Sequence, residues 1–102
     1  MRPVLHGDAV AAARALFVLP AEDRDQAMAL MLSRAEAADC YRRRFARAHP
    51  QWGNGSLMAA AMSQRLPPEP PLDDAEYCRC LASVFSVLAD RRERTCALSG
   101  RS

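Results

Sequence analysis

Cys78 and Cys80 stand one residue apart, and Cys40, Cys96, His49 and His6 complete the thiol and imidazole groups of the chain. Thiolates and imidazoles are zinc ligands, and a Cys beside a His is the usual arrangement for thiol nucleophilic chemistry. The spacing argues against both. On a helix, residues two apart diverge by about 200°, so Cys78 and Cys80 cannot converge on one ion. No CxxC pair is present, nor a GxSxG, HExxH or phosphate-loop pattern. No metal, no cofactor and no catalytic residue is therefore expected. The thiols are expected to be reduced and buried or half-buried.

The segment 48–57 gathers rarer side chains: His49, the only Trp (Trp52), the only Asn (Asn54) and Ser56, around Pro50, Gly53 and Gly55. As structure, Pro50 stops a helix, the glycines supply positive φ, Trp52 plugs the edge of a core and Ser56 caps the next helix. As function, Gly-Asn-Gly-Ser leading into a helix N-terminus is a place for a small anion on backbone N–H groups. Without a lysine beside it that signal is weak, and the structural alternative is the stronger one.

One basic cluster precedes this turn. Arg43, Arg44 and Arg47 share the polar side of a helix, where they are a solvated face, a dock for an acidic protein, or phosphate contacts. Arg42 points instead into the apolar arc, to snorkel or to hold a structural carboxylate. Globally the charge is only +2, which does not select a polyanionic partner. All 14 basic residues are Arg, with no Lys and no Ile, as expected from a GC-rich bacterial genome rather than from guanidinium chemistry.

The elements that hold these groups read as helices. Asp8 is placed to cap a first helix reaching about Leu19, with Val10, Ala13, Leu16 and Phe17 on one side. Pro20, Glu22 and Asp23 then open a second. It continues to Pro50, about 40 Å at 1.5 Å per residue, either unbroken or kinked between Ser33 and Asp39. Its broad apolar face runs through Ala27, Leu30, Met31, Ala38, Tyr41 and Phe45, widened by Met28, Leu32 and Ala35.

Ser56 begins a short helix reaching about Leu66, and Pro67-Pro68-Glu69-Pro70-Pro71 forms a stiff spacer. Asp73 or Asp74 caps the last helix, whose stripe of Tyr77, Leu81, Val84, Phe85 and Leu88 must be buried. β-branched residues are scarce, and no alternating run suggests a strand. The chain is thus expected to be an all-α bundle of about four helices, with the second and fourth as the main packing pair. Residues 1–94 form one domain and 95–102 a frayed C-terminal tail.

Tyr41-Arg42-Arg43-Arg44 followed by Ala-His-Pro-x-Trp-Gly-Asn-Gly-Ser-Leu-Met-Ala-Ala-Ala resembles a family of short uncharacterised alphaproteobacterial proteins that share a domain of unknown function. The resemblance centres on residues 41–62 and extends over about 2–93. Such families carry no assigned activity, so it implies a taxonomic frame and no site.

The apolar run from Ala27 to Leu32 is wider than a small bundle readily covers, and Met-rich surface suits adaptable binding. Met28 and Leu32, with Arg43, Arg44 and Arg47, are the candidate partner surface, and His49, Trp52, Asn54 and Ser56 the candidate specialised turn. The expected function is non-enzymatic: an adaptor or accessory subunit binding a protein partner or a second copy of itself. The alternative is a DNA-binding accessory or regulator on the basic face, a helix-turn-helix variant if the second helix is broken; an enzyme of unknown class comes third. No apolar run reaches the ~20 residues of a membrane span, and Ala9–Leu19 leads into Pro20-Ala21-Glu22-Asp23 rather than a leader cleavage site. A cytoplasmic location is expected.

Overall fold

The computed structural model describes the backbone of residues 1–99 and the side chains of residues 1–94. Four helices follow one another: α1 (His6–Phe17), α2 (Ala21–Phe45), α3 (Leu57–Ala61) and α4 (Ala75–Ser99). The described residues contain no strand, only an isolated bridge between His49 and Gly53. The fold is all-α, as the sequence predicts.

α1 is the central element. It packs most extensively on α4 and α3, whereas α2 and α4 meet least, so the predicted pairing of the second and fourth helices is corrected. The cause lies in its alanines. Ala9, Ala11, Ala12, Ala13, Ala15 and Leu16 are all buried, nearly encircling the helix, because short side chains let neighbours approach from several directions. Val10 and Phe17, predicted on the buried side, are only half-buried.

The helix also begins earlier than predicted. Leu5 occupies the N-cap position, and Asp8 stands three residues inside, accepting the Leu5 N–H at 2.7 Å. A carboxylate there reaches back to the cap residue as in half of a capping box.

α2 is one continuous helix of 25 residues. No break falls between Ser33 and Asp39, so a helix-turn-helix made by a break there is not formed. The helix stops before Pro50 because Ala46 adopts φ 57° and ψ 31°, its N–H turning back to the Arg42 carbonyl at 2.8 Å. Met28 and Leu32 are 1% and 6% exposed and join the α1 alanines in one core cluster. They are core, not partner surface: the long side chains fill the space that the short ones of α1 leave open. Leu30 and Phe45 of the predicted buried arc are about half exposed.

α3 is shorter than predicted and ends at Ala61. Ser56 caps it, its Oγ accepting the Ala59 N–H at 3.0 Å. The proline spacer is tied at its start and at its middle: Arg14 Nε donates to the Pro67 carbonyl at 2.8 Å, and the Tyr77 hydroxyl donates to Glu69 at 2.7 Å.

Asp74, rather than Asp73, caps α4 by accepting the Tyr77 N–H at 3.1 Å. Glu76 bonds Arg24 and Arg79 at 2.9 and 2.6 Å. Tyr77, Cys80 and Val84 are buried with Leu81 and Leu88 half-buried, but Phe85 is 48% exposed, so the predicted stripe is rotated away from it. The helix runs to Ser99, into the segment expected to fray; residues 100–102 of that tail lie outside the described residues. No helix is long and apolar enough to cross a membrane among the described residues.

Candidate functional site

Among the described residues, those from Arg34 to Ser56 form the one region where specialised side chains converge. Its scaffold is the C-terminal half of α2 and a tight loop laid back on it. His49 and Gly53 exchange backbone hydrogen bonds at 2.8 and 3.1 Å. Inside that loop the His49 Nδ1 accepts the N–H groups of Gln51 and Trp52 at 3.0 and 3.1 Å. An acceptor nitrogen carries no proton, so in the neutral ring the hydrogen sits on Nε2.

Gly53 and Gly55 have φ of 83° and 94°, in the left-handed region. A Cβ on Gly55 would fall 2.7 Å from the Asp39 Cα, so the loop presses directly on α2 and only glycine fits.

That contact sets an aromatic cluster on the outside. His49 stacks on Trp52 with centroids 4.6 Å apart and planes within 5°. Tyr41 meets His49 edge-on at 5.0 Å and Phe45 at 4.6 Å. The guanidinium of Arg34 lies 5.7 Å from the Trp52 centroid, and that of Arg44 5.5 Å from the Phe45 centroid. Both are cation–π distances. Tyr41, His49 and Trp52 are half-buried, while Phe45 is 50% exposed.

The electrostatics are one-sided. Asp39 is buried and accepts Arg42 at 2.8 Å, with the Met1 ammonium at 3.2 Å and Arg43 at 3.6 Å. The Arg42 hydrogen bond first, then the ammonium, holds its carboxyl below the usual value. Arg42 thus holds a structural carboxylate, as one sequence alternative had it. Glu36 is held low chiefly by the Met1 ammonium and also by Arg91, at 2.5 Å. These carboxylates are occupied. Arg34, Arg44 and Arg47 make no ion pair among the described residues, leaving the aromatic cluster under excess positive charge.

Of the predicted site residues, Arg43, Arg44 and Arg47 are exposed at the end of α2 and lie along the chain beside His49 and Trp52. Met28 and Leu32 are not with them. Asn54 and Ser56 serve the turn: Asn54 Oδ1 accepts the Ser56 N–H at 3.1 Å, and Ser56 caps α3. The anion alternative meets an obstacle, since the Met58 and Ala59 N–H groups are already taken by Asp8 and Ser56. Tyr41, Phe45 and Arg34 were missed as site residues. Helical periodicity put Tyr41 and Phe45 on the buried side, and only the loop that folds back at Gly55 brings Arg34 to Trp52.

Two other features carry no assembled chemistry. Cys78 is exposed and Cys80 buried, on different sides of α4, and burial pushes the Cys80 thiol up. Cys96 lies outside the described side chains, and no group of three potential metal ligands converges among the described residues. A cleft of about 690 Å3 opens between residues 1–4, Glu36 on α2 and Leu88, Arg91 and Arg92 on α4.

Fold and site together define a small all-helical protein with an aromatic and arginine-rich surface at the end of its second helix. The chain belongs to a family defined by a domain of unknown function (DUF7742), whose profile matches residues 2–88. That span takes in the Tyr41–Met62 segment. No curated protein and no solved structure matches the chain.

Proposed function

We propose that this chain is a non-enzymatic binding protein, an adaptor or accessory subunit. In this reading it docks an acidic segment of another protein on the surface made by the end of α2 and the His49–Trp52 loop. The observation that carries the reading is a concentration of types. Tyr41, Phe45 and Trp52 are three of the six aromatic residues (one Trp, two Tyr, three Phe), and they sit among arginines without carboxylate partners. Tyr, Trp and Arg are the side chains that most often anchor protein interfaces. Unpaired guanidinium groups at the rim select an acidic partner and steer its approach.

Nucleic acid is the weaker occupant. Base stacking needs open aromatic faces, and here Trp52 already carries His49 and Arg34 while Phe45 carries Arg44. A bacterial, alphaproteobacterial source and a cytoplasmic location belong to the same reading. The source is supported by the arginine-only composition and by the resemblance of the turn.

The test is affinity capture from native lysate on the immobilised chain, beside an Arg44→Glu/Arg47→Glu variant. The expected result is a protein retained by the wild type, released by added salt and absent from the variant. An identical set on both, or retention abolished by nuclease, would contradict the reading.

A further inference from the structure

α4 turns Tyr77, Cys80 and Val84 into the core and leaves a second apolar face uncovered. Ala75, Cys78, Ala82, Phe85 and Ala89 are all exposed, at alternating spacings of three and four residues. That alternation keeps side chains on one seam of a helix and is the pattern by which one helix packs along another. Phe85, 48% exposed, is the fourth of these five residues and the largest. The charges are ordered as well: Arg79 and Glu93, both exposed, bracket Ala82, Phe85 and Ala89 and lie symmetrically on either side of Ser86.

We propose that this face is an interface with a second copy of the chain, α4 lying antiparallel to α4 about a two-fold axis near Phe85 and Ser86. The charge order selects this occupant. In the antiparallel arrangement Arg79 of each copy meets Glu93 of the other, giving two opposite-charge pairs about one axis. A parallel arrangement sets Arg79 against Arg79 and Glu93 against Glu93. An apolar centre flanked by one charge and its opposite is self-complementary, as an isologous two-fold contact requires. The alanines allow close approach of the two helices, and the Phe85 rings fill the middle, where binding energy concentrates.

Arg79 is not lost to the contact by its bond to Glu76 at 2.6 Å, because an exposed pair on one helix is weak and readily exchanged. The surface is separate from the α2 end, so the two proposals stand or fall independently.

Sedimentation velocity of the full chain, from micromolar to sub-millimolar concentration, tests the inference. The wild type is expected to shift with concentration from the 11.2 kDa monomer towards twice that mass. Phe85→Glu is expected to stay monomeric throughout with unchanged circular dichroism, and Arg44→Glu/Arg47→Glu to dimerise like the wild type. Arg79→Glu and Glu93→Arg should each weaken the dimer, and the double exchange should restore it; this complementation holds even if Phe85→Glu disturbs folding. A wild type that is monomeric at every concentration overturns the proposal. So does a dimer indifferent to Phe85→Glu, or a double exchange no stronger than either single change.

Discussion

The Asp8 carboxylate accepts the backbone N–H of Met58 at 2.8 Å, across fifty residues of sequence, while its other oxygen holds the N–H of Leu5 at 2.7 Å. One buried side chain thereby satisfies donors at the N-termini of both α1 and α3. Asp8→Ala leaves both N–H groups without a partner. The expected loss is about 2 kcal/mol, two helix caps at roughly 1 kcal/mol each, read by urea denaturation. A loss below about 0.5 kcal/mol, the range of ordinary surface changes, would mean that water replaces the carboxylate at both ends.

Burial separates two residues that periodicity alone treats in the wrong order. Leu32 is 6% exposed and Phe85 48% exposed. Leu32→Ala should cost about 2–5 kcal/mol, as truncations of buried leucine do. Phe85→Ala should cost less than about 1 kcal/mol, measured at a protein concentration where the chain is monomeric. Equal losses would place Phe85 in the core after all.

Tyr77 is fully buried and donates its hydroxyl to Glu69. Burial first, and the Glu69 bond second, push its phenol up to about 12. The unfolded phenol ionises near its ordinary value of about 10. The stabilising contribution is therefore complete below about pH 10 and is lost as the pH rises through about 12. Tyr77→Phe should flatten stability over this alkaline interval, and ultraviolet titration of the wild type should show one tyrosine ionising near 12. A titration in which no tyrosine ionises with a midpoint above the ordinary phenol value of about 10 would contradict the buried bond.

The thiols offer a check on the orientation of α4. Cys78 and Cys40 are exposed and Cys80 is buried. Under a thiol reagent, at a protein concentration where the chain is monomeric, Cys40 and Cys78 should be labelled in the native protein, and Cys80 only after unfolding, as peptide mass mapping would show. Native labelling of Cys80 together with Cys78 would mean that the helix is rotated from the position described.

The order of elements was legible because punctuation is local. Pro20, Ser56 and the proline spacer mark boundaries through their own backbone chemistry. What was not legible depends on contacts between segments far apart in sequence. Ala46 ends α2 in a left-handed conformation that no glycine announces. The role of Asp8 is set by where Met58 arrives, and Met28 and Leu32 are buried because α1, built of alanine, makes room for them. The candidate site was half visible. Its arginines and its turn stand out by residue type, but Tyr41 and Phe45 looked like core. They become surface only because the chain after Ala46 folds back over the end of α2 rather than extending it.

The central claim is that the end of α2 binds an acidic protein partner. In-cell photo-crosslinking with benzoylphenylalanine in place of Phe45, compared with the same group in place of Met62, tests it most directly. Both side chains are largely exposed, at 50% and 59%, so the two probes differ in place and not in access. The account expects a discrete protein adduct at position 45, lost when Arg44→Glu and Arg47→Glu are added, and none at position 62. Adducts of equal yield at both positions, or an adduct at 45 that is nucleic acid, would contradict it.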